Sequence, residues 1–255
     1  MRPIVPITVG AAAAAGAGVM LPSELRGWWW AGLGTTWLTV STWGVCSLES
    51  GLFGPALVRG SRLRPEVALT WDDGPDPRAT PALLDLLRAR GVAGAFFCVG
   101  ERARAHPELV KRAAAEGHLL GNHSDRHAWS TNFLGTRGLA AELSACQATL
   151  ARLSGALPRF YRPPVGLTNH AVAGATQAVG LTVVGWSVRS LDTTRRSSDA
   201  VVARVLARIG PGDVVLLHDG GQEPDRAVAI ARGILDGLGG RGLAPVRLDA
   251  LLGSG

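Results

Sequence analysis

The 255-residue sequence has only three cysteines, Cys46, Cys98 and Cys146. They cannot all pair, and their spacing matches no zinc or redox motif, so no cysteine-built metal or redox centre is predicted. Cys98 lies in an apolar run at 95–99, which is typical of a small buried hydrophobic residue. Cysteine usage therefore indicates neither an oxidising nor a reducing compartment.

Lysine is almost absent: all but one of the 26 basic residues are arginine, and Lys111 is the exception. The formal net charge is +6. No stretch interleaves basic residues with aromatic ones, as a nucleic-acid-binding face would require. The arginines are therefore expected on solvated helix faces, and no nucleic-acid partner is predicted.

Charge is missing from two N-terminal stretches, 3–22 and 27–48, separated by a short polar break. Each is long enough to cross a hydrocarbon core of about 30 Å. Alanine and glycine dominate the first, which weakens its insertion, whereas the second carries Trp28 at one end and Trp43 near the other, like aromatic anchors. Residues 1–48 are therefore predicted to form two membrane segments, with membrane lipid as a partner.

Two alternatives stay open for this region. A signal peptidase could use the Ala-rich stretch 11–17, giving a secreted or periplasmic protein, or the region could form a soluble helical cap. As a hairpin, it would place both chain ends on one side of the bacterial cytoplasmic membrane. The arginines flanking the hairpin outnumber Arg26 in its loop, which favours a cytoplasmic catalytic domain.

Beyond a linker at 49–65, rich in Gly, Pro and Arg, short apolar runs alternate with amphipathic segments over 66–255. Strands are predicted at 67–71, 93–98, 118–121, 158–161, 181–186, 213–217 and 244–247. Helices are predicted at 79–90, 106–116, 136–153, 168–179, 197–208 and 224–238. This alternation indicates an α/β fold with a parallel sheet, and seven units suggest a barrel with fewer strands than the usual eight. The chemistry is then expected at the carboxyl ends of the strands.

Two adjacent aspartates, Asp72 and Asp73, follow the apolar run 67–69 and precede a Gly-Pro turn. They are expected where a buried strand ends and a loop begins. Burying two neighbouring like charges is costly unless a cation or a shared proton offsets their repulsion. A metal ion on one carboxylate would leave the other free to act as a base.

Two histidines four residues apart, His123 and His127, lie further along the chain. The spacing predicts both imidazoles on one side of a helical turn, as in other His-x-x-x-His metal sites. One carboxylate and two histidines make a three-ligand site with positions open for water and substrate. The sequence therefore predicts a metal-dependent hydrolase.

Five short motifs occur in order along the chain. They are Thr70-Trp71-Asp72-Asp73-Gly74-Pro75, His123-Ser124-Asp125-Arg126-His127, Arg162-Pro163-Pro164-Val165-Gly166, Arg189-Ser190-Leu191-Asp192-Thr193 and Leu216-Leu217-His218-Asp219. Together they make the region from about 65 to 250 resemble the polysaccharide deacetylase (NodB-homology) family of carbohydrate esterases. The resemblance implies a deformed (β/α)7 barrel of the NodB type, similar to a TIM barrel, preceded here by the N-terminal hydrophobic helical region.

The resemblance also implies the chemistry. Asp72 would be the general base and His218 the general acid, while Asp73, His123 and His127 would hold one divalent metal ion, zinc first, with cobalt or nickel as alternatives. The implied reaction is removal of acetyl groups from an amino-sugar glycan of the chitin-oligosaccharide, peptidoglycan or lipid-linked kind. Relatives of this type mostly act on cell-wall or exported polysaccharides, which favours the outer side of the membrane.

Further roles follow from the resemblance alone. Arg162 would orient the base, Val165 would offer a backbone N–H to the oxyanion, and Leu216 would line the pocket for the acetyl methyl. The fourth motif departs from the family's Asp-x-x-Asp-Trp, because Arg189 and Thr193 replace its first acid and its tryptophan. Asp192 is expected to pair with Arg162 and so hold the base in place.

Two other functions stay open. The altered fourth motif favours a catalytically impaired, membrane-anchored glycan-binding relative. His123, Asp125 and His218 imitate the facial triad of non-haem iron oxygenases, although those enzymes use a β-rich barrel that this alternation does not support. The remaining histidines match no motif position and are expected to be structural or solvent-facing: His106, His118 and His170.

Overall fold

The computed structural model describes residue 14 and residues 16–253, in which strands alternate with helices beyond an N-terminal helix. The strands are β1 (Glu66–Gly74), β2 (Ala95–Cys98), β3 (Leu119–Asn122), β4 (Phe160–Tyr161), β5 (Thr182–Val183), β6 (Val188–Arg189), β7 (Val214–His218) and β8 (Ala244–Pro245). The helices are α1 (Ser23–Cys46), α2 (Ala79–Arg90), α3 (Gly100–Ala105), α4 (Pro107–Ala115), α5 (Thr136–Ser154), α6 (His170–Val179), α7 (Ser198–Leu206), α8 (Pro224–Gly239) and α9 (Leu248–Leu252). Short 3₁₀ helices span Leu48–Ser50, Trp129–Phe133 and Pro164–Gly166.

The strands form a curled parallel sheet in the order β5-β4-β3-β2-β1-β7-β6, and β8 pairs with the start of β1. The predicted α/β fold is confirmed as a parallel half-barrel of seven strands. Its two ends, β5 and β6, are consecutive in the chain, so residues 184–187 cross the opening between them. The carboxyl ends of all seven strands meet at one rim, because every pairing along the path is parallel.

Side chains alternate between the two faces of β1, so that one face packs into the hydrophobic core and the other faces the interior of the half-barrel. Val67, Leu69 and Trp71 are fully buried and belong to the hydrophobic cluster that includes the leucines of α2 and α8. Because side chains alternate across a strand, Thr70 and Asp72 face the opposite side, inside the barrel. The outer face of β1 therefore supports the fold, and its inner face is available for polar chemistry.

The leucines of α2 recur with a helical period and form its buried face. Leu83, Leu84 and Leu87 are buried against the sheet, while the helix ends at Arg90 because Gly91 adopts the left-handed conformation with φ 63°. Each strand and helix predicted beyond residue 65 has a counterpart whose ends agree within three residues. The short helices α3 and α9 were not predicted.

The strand predicted at 181–186 is confirmed as the shorter β5, but β6 was not predicted. The chain leaves β5 at one end of the sheet and crosses the opening to β6 at the other end. Because β6 has only two residues, one buried and one exposed, hydrophobicity alone does not reveal it as a strand.

Residues 48–59 pack against the half-barrel at its opening. Leu48 and Leu52 are buried, and Leu57 pairs with Val184, just beyond β5. Arg59 forms an ion pair of 2.8 Å with Asp213 at the start of β7. This segment therefore runs from the residues just beyond β5 to the start of β7.

None of the helices within the described residues is long and apolar enough to cross a bilayer. The predicted span at 27–48 is therefore not supported; glycine and threonine recur through α1, for example Gly32, Gly34 and Thr35, and lower its mean hydropathy. The other predicted span, 3–22, lies mostly outside the described residues.

Candidate active site

The predicted site residues come together at the carboxyl rim of the sheet. Asp72 and Asp73 lie at the end of β1, and His218 ends β7 directly beside Asp72 in the strand register. His123 follows β3, and Arg162 follows β4. The parallel sheet thus collects residues that are far apart in sequence at one edge.

A β-bulge allows both aspartates to reach the same site. The register between β1 and β2 shifts between Asp72 and Gly74, and Asp73 has φ 72°, in the left-handed region. In a regular strand, neighbouring side chains point to opposite faces, so Asp73 would turn away from Asp72. The bulge redirects its carboxylate towards the histidines that follow β3.

Asp73, His123 and His127 form a cluster that could hold a metal ion. The Oδ1 atom of Asp73 lies 3.2 Å from Nε2 of His123 and 3.0 Å from Nε2 of His127. The candidate ligand atoms all lie within 4.8 Å of one another. Two imidazole nitrogens and one carboxylate oxygen are a donor set that zinc accepts in three-ligand sites.

The surroundings fit this role. Nδ1 of His123 is 2.8 Å from the backbone carbonyl of Arg162, which accepts its N–H and leaves Nε2 with its lone pair towards Asp73. Burial alone would raise the pKa of Asp73, but hydrogen bonds and charge from His123 and His127 lower it well below its ordinary value. The Asp73 carboxylate is therefore ionised at neutral pH, as a ligand must be.

The histidines are not arranged as predicted from their spacing. Residues 123–127 form a loop rather than a helical turn. Ser124 has φ 65° and His127 has φ 52°, and these left-handed residues fold the loop back so that the two imidazole centres lie 4.9 Å apart. The loop is held by Asn122, whose side-chain oxygen accepts the N–H of Ser124.

Asp72 pairs with Arg162 inside the barrel. Nη1 of Arg162 donates to Oδ1 of Asp72 at 2.6 Å and to the hydroxyl of Thr70 at 2.8 Å. The guanidinium carbon lies 4.1 Å from the centre of the Phe97 ring. Burial lowers the pKa of Arg162, and the Asp72 carboxylate opposes that shift. The structure thus contains the predicted contact between Arg162 and Asp72.

The predicted pair between Asp192 and Arg162 is wrong. Asp192 instead contacts His218: Oδ1 accepts from Nδ1 of the imidazole, and Oδ2 accepts from its backbone N–H, each at 2.8 Å. The hydroxyl of Ser190 also donates to Asp192, at 2.9 Å. Arg162 is satisfied by Asp72, Thr70 and backbone carbonyls, so it has no need of a second carboxylate.

This contact changes the protonation of His218. Burial would lower the pKa of its imidazole, but the hydrogen bond and charge of Asp192, with further charge from Asp72 and Asp73, raise the pKa to about 9. The Nδ1 atom is engaged by Asp192, which leaves Nε2 to face outwards. His218 is therefore an imidazolium at neutral pH and able to act as a general acid.

Val165 and Leu216 complete the set of predicted residues. Val165 is half exposed and has φ 61°, a strained conformation for a β-branched residue, in the 3₁₀ turn after Arg162. Strain of this kind persists where the surrounding structure fixes it, and it is common at functional sites. Leu216 is buried in β7 two residues before His218, so both face the same side of the strand.

The remaining histidines and Asp125 lie outside this cluster. Asp125 forms a two-pronged ion pair with Arg104, at 2.6 and 2.9 Å, so the facial triad of an iron oxygenase is not formed. His118 is buried, its Nδ1 accepting the N–H of Gly94. His170 packs edge-on against Phe53, as a structural residue would.

Three supporting residues were not predicted. Thr70 precedes Asp72 by two residues on the same face of β1, so the two-residue strand period was a signal that could have identified it. Ser190 lies in the loop after β6, where no such period applies. Asp219 is fully buried, accepts a hydrogen bond from Thr80, and burial raises its pKa to about 7. No comparable pattern pointed to its contact with Thr80, which comes from α2.

Comparison with known proteins agrees with this geometry. A family model described as polysaccharide deacetylase matches residues 59–184. The chain is 39% identical over 163 residues to a chitooligosaccharide deacetylase of Bradyrhizobium sp. (strain ANU 289), covering 64% of this chain and 73% of that protein. It is 35% identical over 188 residues to a peptidoglycan-N-acetylglucosamine deacetylase of Bacillus cereus, covering 73% and 87%.

A solved structure shows the same fold. The Bc1960 peptidoglycan N-acetylglucosamine deacetylase superposes with a TM-score of 0.74 at 33% sequence identity, covering 78% of this chain and 94% of that one.

The Asp192 contact predicts how His218 titrates. A histidine whose pKa rises on folding stabilises the fold below its ordinary pKa of 6.5, and this contribution is lost as the pH rises through about 9. In Asp192→Asn, we expect the His218 pKa to fall towards 6.5, followed by nuclear magnetic resonance of the imidazole protons. Asp125→Asn is the control and leaves the His218 titration in place; an unchanged pKa in Asp192→Asn would contradict the pairing.

The cluster also predicts metal affinity. Removing an outer partner of a metal ligand typically costs about 10–100-fold in affinity, so losing a ligand itself in His127→Gln is expected to cost at least about 100-fold. Zinc affinity is measured by competition with a chromophoric chelator. His106→Gln, which lies outside the cluster, should bind like the unchanged protein. Equal affinity in the two variants would exclude His127 as a ligand.

Proposed function

Because the chain belongs to the polysaccharide deacetylase family, a family of hydrolases, we propose that it removes acetyl groups from an acetylated amino-sugar glycan. One observation carries the proposal: two separate aspartate pairs flank the candidate metal cluster. Asp72 is paired with Arg162, and His218 is paired with Asp192. The site thus offers a carboxylate base and an imidazolium acid side by side.

The substrate class follows from the relatives. Those that the chain matches are a chitooligosaccharide deacetylase and peptidoglycan-N-acetylglucosamine deacetylases. We propose an N-acetylated glycan of the chitin-oligosaccharide, peptidoglycan or lipid-linked kind, with removal of O-acetyl groups as a related activity. Hydrolysis adds water across the acetyl C–N bond and yields acetate and an amine.

The cluster of Asp73, His123 and His127 would hold one divalent metal ion in the active protein. Zinc suits the donor set, and cobalt or nickel are alternatives. Such an ion supplies Lewis acidity towards the acetyl carbonyl and lowers the pKa of water. The metal dependence proposed for this chain thus rests on these three neighbouring residues.

Asp72 is placed to take the proton from the attacking water. It lies beside Asp73 on β1, and its Oδ1 accepts a hydrogen bond of 2.6 Å from the buried guanidinium of Arg162. Thr70 holds the same guanidinium from the interior side. The base is therefore fixed in position before substrate binds, which is the condition for efficient general-base catalysis.

His218 is placed to protonate the departing nitrogen. An amine leaves poorly as an anion, so a proton donor is needed as the C–N bond breaks. Asp192 keeps the imidazole charged and fixes the ring by its contact with Nδ1. The backbone N–H of Val165 would stabilise the oxyanion, and Leu216 would contact the acetyl methyl.

A second candidate is a membrane-anchored relative that binds glycans without turning them over. The observation that favours it is the fourth motif, where Arg189 and Thr193 replace an acid and a tryptophan. The intact acid, base and three candidate ligands favour the enzyme.

Acetate release tests the proposal. The full chain, loaded with zinc, cobalt or nickel, is expected to release acetate from chitohexaose or from peptidoglycan fragments, and a chelator should abolish the release. Asp72→Asn and His218→Gln should each lower kcat by roughly 10²–10⁴-fold, because each removes a general acid–base group. Asp199→Asn, an exposed carboxylate on α7, is the matched control with unchanged kcat.

Three results would count against this function. Release that survives chelation would exclude metal dependence. Full activity in Asp72→Asn would exclude the proposed base. A folded, zinc-loaded chain that binds either glycan but releases no acetate would establish the non-catalytic relative instead.

We further propose that residues 1–48 hold the protein at the bacterial cytoplasmic membrane. The described part of this region supports the idea because α1 exposes Trp28, Trp37 and Trp43, with Trp28 80% exposed. Tryptophan favours the boundary between lipid and water. A secreted or periplasmic form, after cleavage near 11–17, is the alternative.

Flotation with liposomes tests the membrane proposal. The full chain should rise with the vesicles, and a variant with Trp28, Trp37 and Trp43 changed to serine should stay at the bottom, since interfacial binding scales with buried apolar area. Trp129→Ser removes an equally exposed tryptophan outside α1 and is the control. Flotation of the triple variant would refute a role for α1, and the mass of protein from each cell fraction would reveal a cleaved form.

A further inference from the structure

A pocket lined by arginines lies beside the candidate active site. It has a volume of about 310 Å³ and is lined by Arg189, Arg204 and Arg208. Arg189 ends β6, and the other two lie on and just after α7. The hydrophobic side of the pocket includes Trp186, which crosses the opening of the half-barrel.

The three arginines that line the pocket outnumber its one acidic lining residue, Glu49. None of them forms an ion pair with a carboxylate of the described residues. Nε of Arg204 donates to the backbone carbonyl of Arg189 at 3.0 Å, and Arg208 donates to the carbonyl of Arg204 at 3.4 Å. These contacts hold the Arg204 side chain against the backbone of β6 and the Arg208 side chain against α7, and neither contact supplies a negative charge.

The neighbouring charges act on Arg204. Desolvation lowers the pKa of its guanidinium, and the charges of Arg208, Arg196 and Arg189 lower it further. One acidic residue, the exposed Glu49, also lines the pocket, so the lining carries three positive charges against one negative charge. A cluster of this kind is relieved by an anion that accepts from several guanidinium groups at once.

We propose that this arginine pocket is a phosphate-binding subsite for the glycan substrate. Arginine forks bind phosphate with paired, charge-assisted hydrogen bonds, and three arginines lining one pocket suit the several oxygens of a phosphate better than the two of a carboxylate. The inference rests on the proposed deacetylase function and refines its substrate class: an acetylated glycan that carries a phosphate close to the acetylated sugar.

The wall of the pocket adjoins residues that hold the base and the acid of the candidate active site. Gly166, next to the proposed oxyanion donor Val165, lines the pocket and packs closely against Trp186. The Trp186 ring lies 5.8 Å from the guanidinium carbon of Arg162, which holds the base. Arg189 is separated by only three positions from Asp192, which holds the acid. A phosphate in the pocket would therefore sit one wall away from the reacting acetyl group.

Direct binding tests the subsite without relying on turnover. Inorganic phosphate, N-acetylglucosamine 1-phosphate and glycerophosphoglycerol are titrated calorimetrically into the full chain, with and without zinc, so that phosphate bound at the metal cluster is recognised. A phosphate ligand should bind about tenfold or more weakly to Arg204→Gln/Arg208→Gln, because charged hydrogen bonds are lost. Arg208→Gln alone, an exposed change, serves if the double variant does not fold, and Arg152→Gln is the control.

The kinetic arm compares N,N′-diacetylchitobiose with its 1-phosphate. The ratio of kcat/KM for the phosphorylated over the neutral sugar should exceed one and fall about tenfold in Arg204→Gln/Arg208→Gln, while Arg152→Gln keeps the ratio. Tighter binding of the sugar phosphate than of glycerophosphoglycerol would identify the phosphate as part of the glycan. The reverse order would support the same subsite with a lipid headgroup as its source.

Failure of the subsite and failure of the function give different results. The subsite would be overturned, even if acetate is released, if phosphate bound the chain neither with nor without zinc. It would also be overturned if phosphate bound both arginine variants as tightly as it binds the unchanged chain. Phosphate binding that depends on Arg204 and Arg208, in a chain that releases no acetate, would retain the subsite and refute the deacetylase.

Discussion

Burial of Arg162 within the half-barrel is the constraint on which the rest of the site depends. Its side chain has no exposure to solvent, and a charge removed from water is costly unless it is paired and hydrogen-bonded. Asp72 supplies the counter-charge, Thr70 and the carbonyl of Gly185 take further donors, and Phe97 covers the guanidinium face. Removing one partner of such a pair typically costs about 3–5 kcal/mol, so the position of the base is a property of the folded core.

The same residue links the base to the metal cluster. The backbone carbonyl of Arg162 accepts Nδ1–H of His123, so the strand that brings in the guanidinium also orients a candidate ligand. The acid is built separately, from Asp192 and His218, yet His218 is the register neighbour of Asp72 across β1 and β7. Acid and base thus end adjoining strands but are held by different partners: His218 by the carboxylate of Asp192, and Asp72 by the guanidinium of Arg162.

The sequence predicted which residues form the site better than it predicted the backbone conformations that orient them. Residue types, their order and the strand-helix alternation predicted the half-barrel and the residues at its rim. These features did not predict the backbone conformations that orient the site residues. In the described residues, every non-glycine position with positive φ lies within one of the five motifs. These residues are Asp73, Ser124, His127, Val165 and Leu191. Local strain of this kind is imposed by the sheet around it, so neither propensity nor spacing reveals it.

The partner of Asp192 shows why side-chain pairing was harder to predict than residue identity. The choice between Arg162 and His218 depends on whether β6 pairs with β7, and β6, at Val188–Arg189, was not predicted because it is only two residues long. Once β6 is placed beside β7, Ser190 and Asp192 follow β6 at the carboxyl rim, where Asp192 lies within hydrogen-bond distance of His218, the last residue of β7. The same placement turns Arg189, which replaces an acid of the motif, towards α7 and its two arginines. Arg189 replaces an acid of the motif, and it lines the pocket with Arg204 and Arg208. This substitution therefore favours an anion beside the acetyl group.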